Sequence, residues 1–255
     1  MTARIEIDAR GVATLTIARA HKRNALDRPT IDALAEAAGA LGADPRVRAV
    51  VLAGEGAAFC AGGDLDWMRE QMAASAEERA EGARALAGML GALDALPKPL
   101  IGRVHGDAFG GGVGLACVCD VAVAAPGARF GLTETRLGLI PATIGPYVVA
   151  RLGPLARRVF MAPRMIGAQE AAALGIVARV AEDLDAAVEA EAAPYLSAAP
   201  GAVAAAKALA RSLSRAPGEA EIEATVAALV ARWETEEARD GIAAFFGRRP
   251  PPWSK

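Results

Sequence analysis

The sequence predicts an α/β protein that ends in an all-helical region. Three observations carry this. Short apolar, strand-like runs alternate with helix-like segments through residues 1–193, as repeated strand–helix units require. From about Pro194 onward the strand signals stop, and residues 194–255 show only helical periodicity. The length, 255 residues, suits one large domain, or one domain with a small appendage.

The elements follow in order. Ile5 and Ile7 alternate with charged residues, Arg10-Gly11 makes a turn, and Ala13, Leu15 and Ile17 alternate with polar positions; this reads as a β-hairpin. A helix opens near Asp27 to Thr30, with Pro29 in its first turn. Ile31, Leu34, Ala35, Ala38 and Leu41 then share one face. Ala49 to Ala53, closed by Gly54, is a buried strand. Phe59 to Leu65 is a glycine-bearing connection, and a charged, Ala-rich helical stretch runs from Trp67 to about Ala83. That stretch is expected to form a mobile flap. Leu100 to Val104 is a strand, Val113 to Cys119 a short helix, and Asp120 to Ala124 a strand. Beyond Pro194, helices are expected over Gly201 to Leu213 and Glu219 to Arg239, with a last one capped by Asp240 and carrying Ile242 and Phe245.

Composition narrows the function. Lys and Arg total 28 against 30 Asp and Glu, a net charge of -2. The cations are scattered, which argues against nucleic acid as a partner. Cys60, Cys117 and Cys119 fit neither a disulfide framework nor a zinc site, so no metal is expected. They read as small buried hydrophobes in a reducing compartment. The start reaches Arg4 and Glu6 before any apolar run forms, unlike a signal peptide. No stretch reaches the ~20 uninterrupted apolar residues of a membrane span. A cytoplasmic protein without a membrane partner is expected.

Two glycine-bearing connections stand out, Ala61-Gly62-Gly63-Asp64-Leu65 and His105 through Gly110-Gly111-Gly112-Val113-Gly114-Leu115. Missing side chains let a ligand approach the backbone. A Gly111 N–H at a helix start, paired with a Gly63 N–H, would hold an oxygen that gains negative charge during reaction. Each segment taken singly also reads as an ordinary tight turn. A dinucleotide fingerprint is incomplete here, and no P-loop Lys-Ser/Thr follows.

Phe59-Cys60-Ala61-Gly62-Gly63-Asp64-Leu65 resembles the F-x-A-G-x-D-[LI] motif of the enoyl-CoA hydratase/isomerase (crotonase-like) family. Lys98-Pro99-Leu100-Ile101 through the glycine run to Cys119-Asp120 resembles its second motif, and Phe130 to Pro141 its third. Arg19 to Leu26 resembles the opening R-P-x-x-x-N-A-L element, with Ala20 where Pro is usual, and Ala171 to Val177 a later one. Five motifs in order cover nearly the whole chain. The resemblance implies a spiral core of stacked ββα turns, a C-terminal helical trimerisation region, and trimers or dimers of trimers. It implies an acyl-CoA thioester as substrate and no cofactor, since coenzyme A is part of the substrate. It assigns the oxyanion N–H groups to Gly63 and Gly111 and proton transfer at the acyl C2 to Glu134. Coenzyme A would lie against Lys22, Ala25, Ala61, Asp64 and Leu65, and against Phe245 and Arg248, often from the adjacent subunit. Arg248 stands where Lys is frequent.

One departure bears on mechanism. The second glutamate of the hydratases would fall at Gly114, which is expected to line the substrate site with Gly63 and Gly111, so a two-carboxylate mechanism does not carry over. Gly138 to Val149, with Asp66-Trp67-Met68, is similar to the bacterial methylglutaconyl-CoA and isohexenylglutaconyl-CoA hydratase-like branch. The leading expectation is a lyase that hydrates a 2-enoyl-CoA. The alternatives are an isomerase working with one glutamate and a non-catalytic CoA-thioester or RNA-binding relative.

Overall fold

A computed structural model describes residues 2–213 and 218–253. The chain opens with strands β1 (Ala3–Ile7) and β2 (Val12–Ile17), helix α1 (Arg28–Ala43), β3 (Ala49–Gly54) and β4 (Ala58–Cys60). Next come α2 (Leu65–Ala73), α3 (Ala76–Asp94), β5 (Leu100–Val104), β6 (Asp107–Phe109) and α4 (Gly111–Val118). Then follow β7 (Val121–Ala124), β8 (Arg129–Gly131), α5 (Gly145–Leu152), α6 (Ala156–Phe160), β9 (Ile166–Gly167), α7 (Ala168–Leu174) and β10 (Arg179–Val180). Helices α8 (Leu184–Ser197), α9 (Pro200–Leu213), α10 (Glu219–Trp233) and α11 (Glu236–Phe246) complete the order.

The strands form two sheets, β1-β2-β3-β5-β7-β10 and β4-β6-β8-β9. From β3 to β8, each successive strand pair sends one strand to each sheet, and β3, β5 and β7 pair in parallel. The chain therefore climbs as a spiral of ββα turns, confirming the α/β class. Its core joins Leu15, Ile17, Leu52, Phe59 and Phe130 from the strands to Ile31, Leu34, Met89, Leu90 and Leu93 from α1 and α3.

Local chemistry explains the helix starts. Asp27 accepts from the Thr30 N–H and precedes Pro29 in the first turn of α1. Ser75 and Glu78 form a reciprocal capping box at α3.

Two expected boundaries need correction. The stretch from Glu219 to Arg239 is not one helix. It breaks after Trp233, and Thr235, accepting from the Ala238 N–H, caps α11; Asp240 lies inside that helix. The boundary drawn at residue 194 falls within α8, where Pro194 is accommodated near the C-terminal end. Ile5 and Ile7 are exposed on edge strand β1. The C-terminal helices fold back on their own chain, α10 across α3 and α11 against the turn Glu134–Leu137.

Candidate active site

Strands β4 and β6 run parallel, pairing Ala58 with Asp107 and Cys60 with Ala108. They deliver their following glycine segments side by side. Gly62 has φ +90°, and a Cβ there would sit 2.9 Å from the Phe109 carbonyl oxygen. At Gly112 a Cβ would lie 2.3 Å from the Cys60 carbonyl oxygen. Only glycine permits this approach.

Two N–H groups are left over. Leu26 forms a parallel bridge with Gly63, donating to the Gly62 oxygen at 2.7 Å and accepting from the Asp64 N–H at 2.8 Å. That pattern uses the peptides on either side of Gly63 and leaves its own N–H facing away from Leu26. Gly111 is the first residue of α4, among the helix donors that have no intrahelical partner. Among the described residues neither N–H donates to a protein acceptor. Two unpaired donors beside a helix N-terminus favour a developing oxyanion.

Glu134 opens a 3-10 turn, Glu134–Leu137, that follows β8. A Cβ on Gly110 would lie 3.1 Å from its Oε1 and 3.8 Å from the Gly62 Cα, so the carboxylate abuts Gly110, which in turn packs on Gly62. The side chain as a whole is half-buried, but its Oε2 is shut from solvent and has no partner. Burial pushes the carboxyl from 4.5 up to about 7, only partly opposed by the backbone N–H groups of Glu134 and Thr133. The C-terminal helices pin the turn. Arg232 donates to the Gly138 oxygen at 2.9 Å, and Gly138 (φ +72°) packs against the Glu237 backbone.

A cavity of about 110 Å³ opens from Gly63 between α2, α3 and α10. Trp67, Met68, Leu86, Leu229 and Trp233 give it apolar walls, and Thr143, Gln71 and Arg79 reach it with polar groups. Arg79 is held there: its Nε donates to the Gln71 oxygen at 2.8 Å, it pairs with Glu234, and it stacks on Trp233 at 5.7 Å. Gly114 does not face this cavity. It is buried, and a Cβ there would meet Ile144 Cγ2 at 2.9 Å and Leu90 Cδ1 at 3.5 Å.

The other expected residues divide into groups. Asp64 is structural. It caps α2 through the Asp66 N–H at 2.8 Å and accepts from Arg19 at 3.0 Å. Burial opposes its charge, but the Asp66 N–H and the Arg19 guanidinium outweigh that and hold it below 3.8. Ala25 is buried, Ala61 half-buried and Leu65 exposed. Lys22 pairs with Asp66 at 2.6 Å, tying the loop before α1 to α2. Asn24 fixes that loop, accepting from the Arg19 N–H at 3.0 Å and donating to the oxygens of Glu55 and Ala58. Phe245 and Arg248 stand apart from the cavity at the end of α11, Phe245 exposed and Arg248 at φ +50°. The three cysteines are free and buried, which pushes each thiol up to about 12. Among the described residues no cluster could hold a metal, and no helix is long and apolar enough to cross a membrane.

Arg19 also pairs with Asp27 at 2.7 Å and donates to the Ala25 oxygen. Removing it strands Asp64 in the interior. Arg19→Met is expected to cost about 3–5 kcal/mol of stability, as for a broken buried pair. Urea unfolding at neutral pH checks this. The depressed Asp64 pKa adds a pH signature: its contribution is complete above 3.8 and is lost as pH falls through the folded-state value. The gap between wild type and variant should narrow in acid.

The sequence profile of the family described as "Enoyl-CoA hydratase/isomerase" matches residues 8–255. A Thermus thermophilus protein whose enoyl-CoA hydratase name is provisional is 36% identical, the match covering 97% of this chain and 99% of that one. Mouse mitochondrial methylglutaconyl-CoA hydratase is 32% identical, over 97% of this chain and 81% of its own. The crystal structure of an enoyl-CoA hydratase from Mycobacterium avium superposes with a TM-score of 0.90 at 32% identity, over 99% of both chains. The chain belongs to the enoyl-CoA hydratase/isomerase family.

Proposed function

We propose that the protein adds water across the double bond of a 2-enoyl-CoA thioester. The observation that carries this is the buried, unpartnered Oε2 of Glu134, on a carboxylate abutting Gly110, next to the unpartnered N–H of Gly111. With the thioester oxygen on the Gly63 and Gly111 N–H groups, charge developing there is stabilised as C3 takes up water. Glu134, with a pKa of about 7, is tuned to accept a proton and return it near neutral pH. Coenzyme A lies along the loop of Lys22 and Ala25 and the segment of Ala61, Asp64 and Leu65. Phe245 and Arg248 reach its far end from an adjacent subunit. No cofactor takes part.

The acyl group is short and of the branched glutaconyl type. The small cavity supports the length, and Arg79 supports a distal carboxylate, because its partner Glu234 is exposed and replaceable. The 32% identity to a methylglutaconyl-CoA hydratase agrees. A trimer or a dimer of trimers is supported by the apolar groove of Ile140, Pro141, Val149, Phe160 and Met161, whose Met161 is 72% exposed. Light scattering at micromolar concentration should give a multiple of the 26.0 kDa chain mass.

Crotonyl-CoA, a 3-methylglutaconyl-CoA and a 3-enoyl-CoA, each followed by mass spectrometry, test the reaction. A product heavier by one water from the glutaconyl ester is expected. An isobaric product from the 3-enoyl ester alone would make the protein an isomerase, the second reading that one carboxylate permits. Arg79→Met should lower kcat/KM for the glutaconyl ester roughly 10–100-fold relative to crotonyl-CoA, the scale of one charge-assisted contact.

A further inference from the structure

Hydration needs the attacking water held in one place, and a single carboxylate fixes only one of its two hydrogens. Gly114 offers no side chain for the other, and the space beside it is filled by Ile144. The residue before Ile144 is Thr143, which lines the cavity opening at Gly63 and is only 5% exposed. Its hydroxyl has no hydrogen-bond partner among the described residues. A threonine inside a helix would satisfy its hydroxyl on a preceding carbonyl, but Thr143 sits just before α5 begins at Gly145.

The other polar groups at the cavity are accounted for. Asp64 is committed to Arg19 and the Asp66 N–H, and Arg79 serves the distal carboxylate of the acyl group in the reading above, exchanging the exposed Glu234 for it. Gln71 lies toward α3, its Oε1 3.5 Å from a Cβ built on Gly82, and is half-exposed. Thr143 is the uncommitted polar side chain at the cavity: the residue is only 5% exposed, and its free hydroxyl is available to a group bound there.

We propose that Thr143 is the positioning residue for the attacking water, taking the place of a second carboxylate. This rests on the hydratase reading above. Water gives one hydrogen to Glu134 and hydrogen-bonds through the other to Thr143 Oγ1, which aims a lone pair at C3. The water oxygen bonds to C3 as the C2=C3 electron pair shifts to C2 and the thioester oxygen. Glu134 takes the proton that water loses and delivers it to C2. The hydrogen facing Thr143 stays on the product hydroxyl, so Thr143 transfers no proton.

The test is Thr143→Val, which keeps the shape and removes the hydroxyl. Hydration of the best enoyl-CoA should slow about 100-fold in kcat, the cost of a misplaced reactant, with little change in KM. Exchange of the C2 proton of a saturated acyl-CoA with deuterated water needs Glu134 but no water at C3. It should stay within about threefold of wild type. Thr143→Ser should restore most of the hydration. Undiminished hydration by Thr143→Val would overturn the proposal, and so would equal losses of hydration and exchange, which mark a purely structural role. If the wild-type chain exchanges C2 protons but hydrates no enoyl-CoA, the hydratase reading itself falls, and the proposal with it.

Discussion

Replacing Glu134 with Gln is expected to lower turnover by about 1,000-fold or more, the upper range for a lost acid–base group. Acyl-CoA binding should stay within about threefold, because the amide keeps the shape. Steady-state kinetics beside calorimetric titration with a substrate analogue would separate the two. The wild-type pH profile makes the assignment specific. If Glu134 must be ionised to take a proton from water, kcat/KM should rise through a pKa near 7 and level off above it. Stability should run the other way. The folded-state pKa lies above the ordinary 4.5, so burial favours the neutral acid. Its contribution is complete below 4.5 and is lost as pH rises through about 7. Thermal melting of Glu134→Gln should lack this decline. A variant that kept most of its turnover would remove Glu134 from the reaction.

The second large effect is expected at Gly63. Its N–H takes no part in the bridge to Leu26, whose bonds run to Gly62 and Asp64. Gly63→Pro therefore deletes the proposed oxyanion donor without breaking that pairing, and kcat should fall about 100-fold or more. Gly63→Ala is the control. A Cβ there meets nothing within 4 Å, and the N–H remains. Its losses should stay near tenfold and fall on KM, where a methyl group crowds the substrate. Equal kcat losses in both variants would show that bulk, rather than the donor, sets the rate.

Much of this site was legible in the sequence, for identifiable reasons. Clustered glycines mark close backbone approach, as at Gly62 and Gly112, so the pair at 62–63 and the run at 110–112 stood out. The periodic apolar faces of α1 and α3 and the continuous run of β3 were equally plain. The second sheet was not. Its strands have two or three residues each, too short for any period to register. The break at Thr235 was hidden because helical spacing continues on both sides of it. Arg79, Thr143 and Ile144 were missed because their roles arise from contacts between distant segments. Gly114 read as a vacancy, since a missing side chain in a sequence says nothing about what fills the space. One signal was available: Thr143 is a hydroxyl amid the apolar run from Leu139 to Val149.

The contact between Gly114 and Ile144 has an evolutionary consequence. A carboxylate at position 114 meets the Ile144 side chain if it arises by a single change. With Ile144 in place the new side chain overpacks the core, typically by about 1–3 kcal/mol, and adds a buried charge. Trimming Ile144 first leaves a hole costing about 2–5 kcal/mol. Either order passes through a destabilised intermediate before the paired state is reached. On the proposed reading, this packing favours retention of one-glutamate chemistry and leaves the cavity wall of Trp67, Arg79 and Thr143 as the place where substrate preference can change.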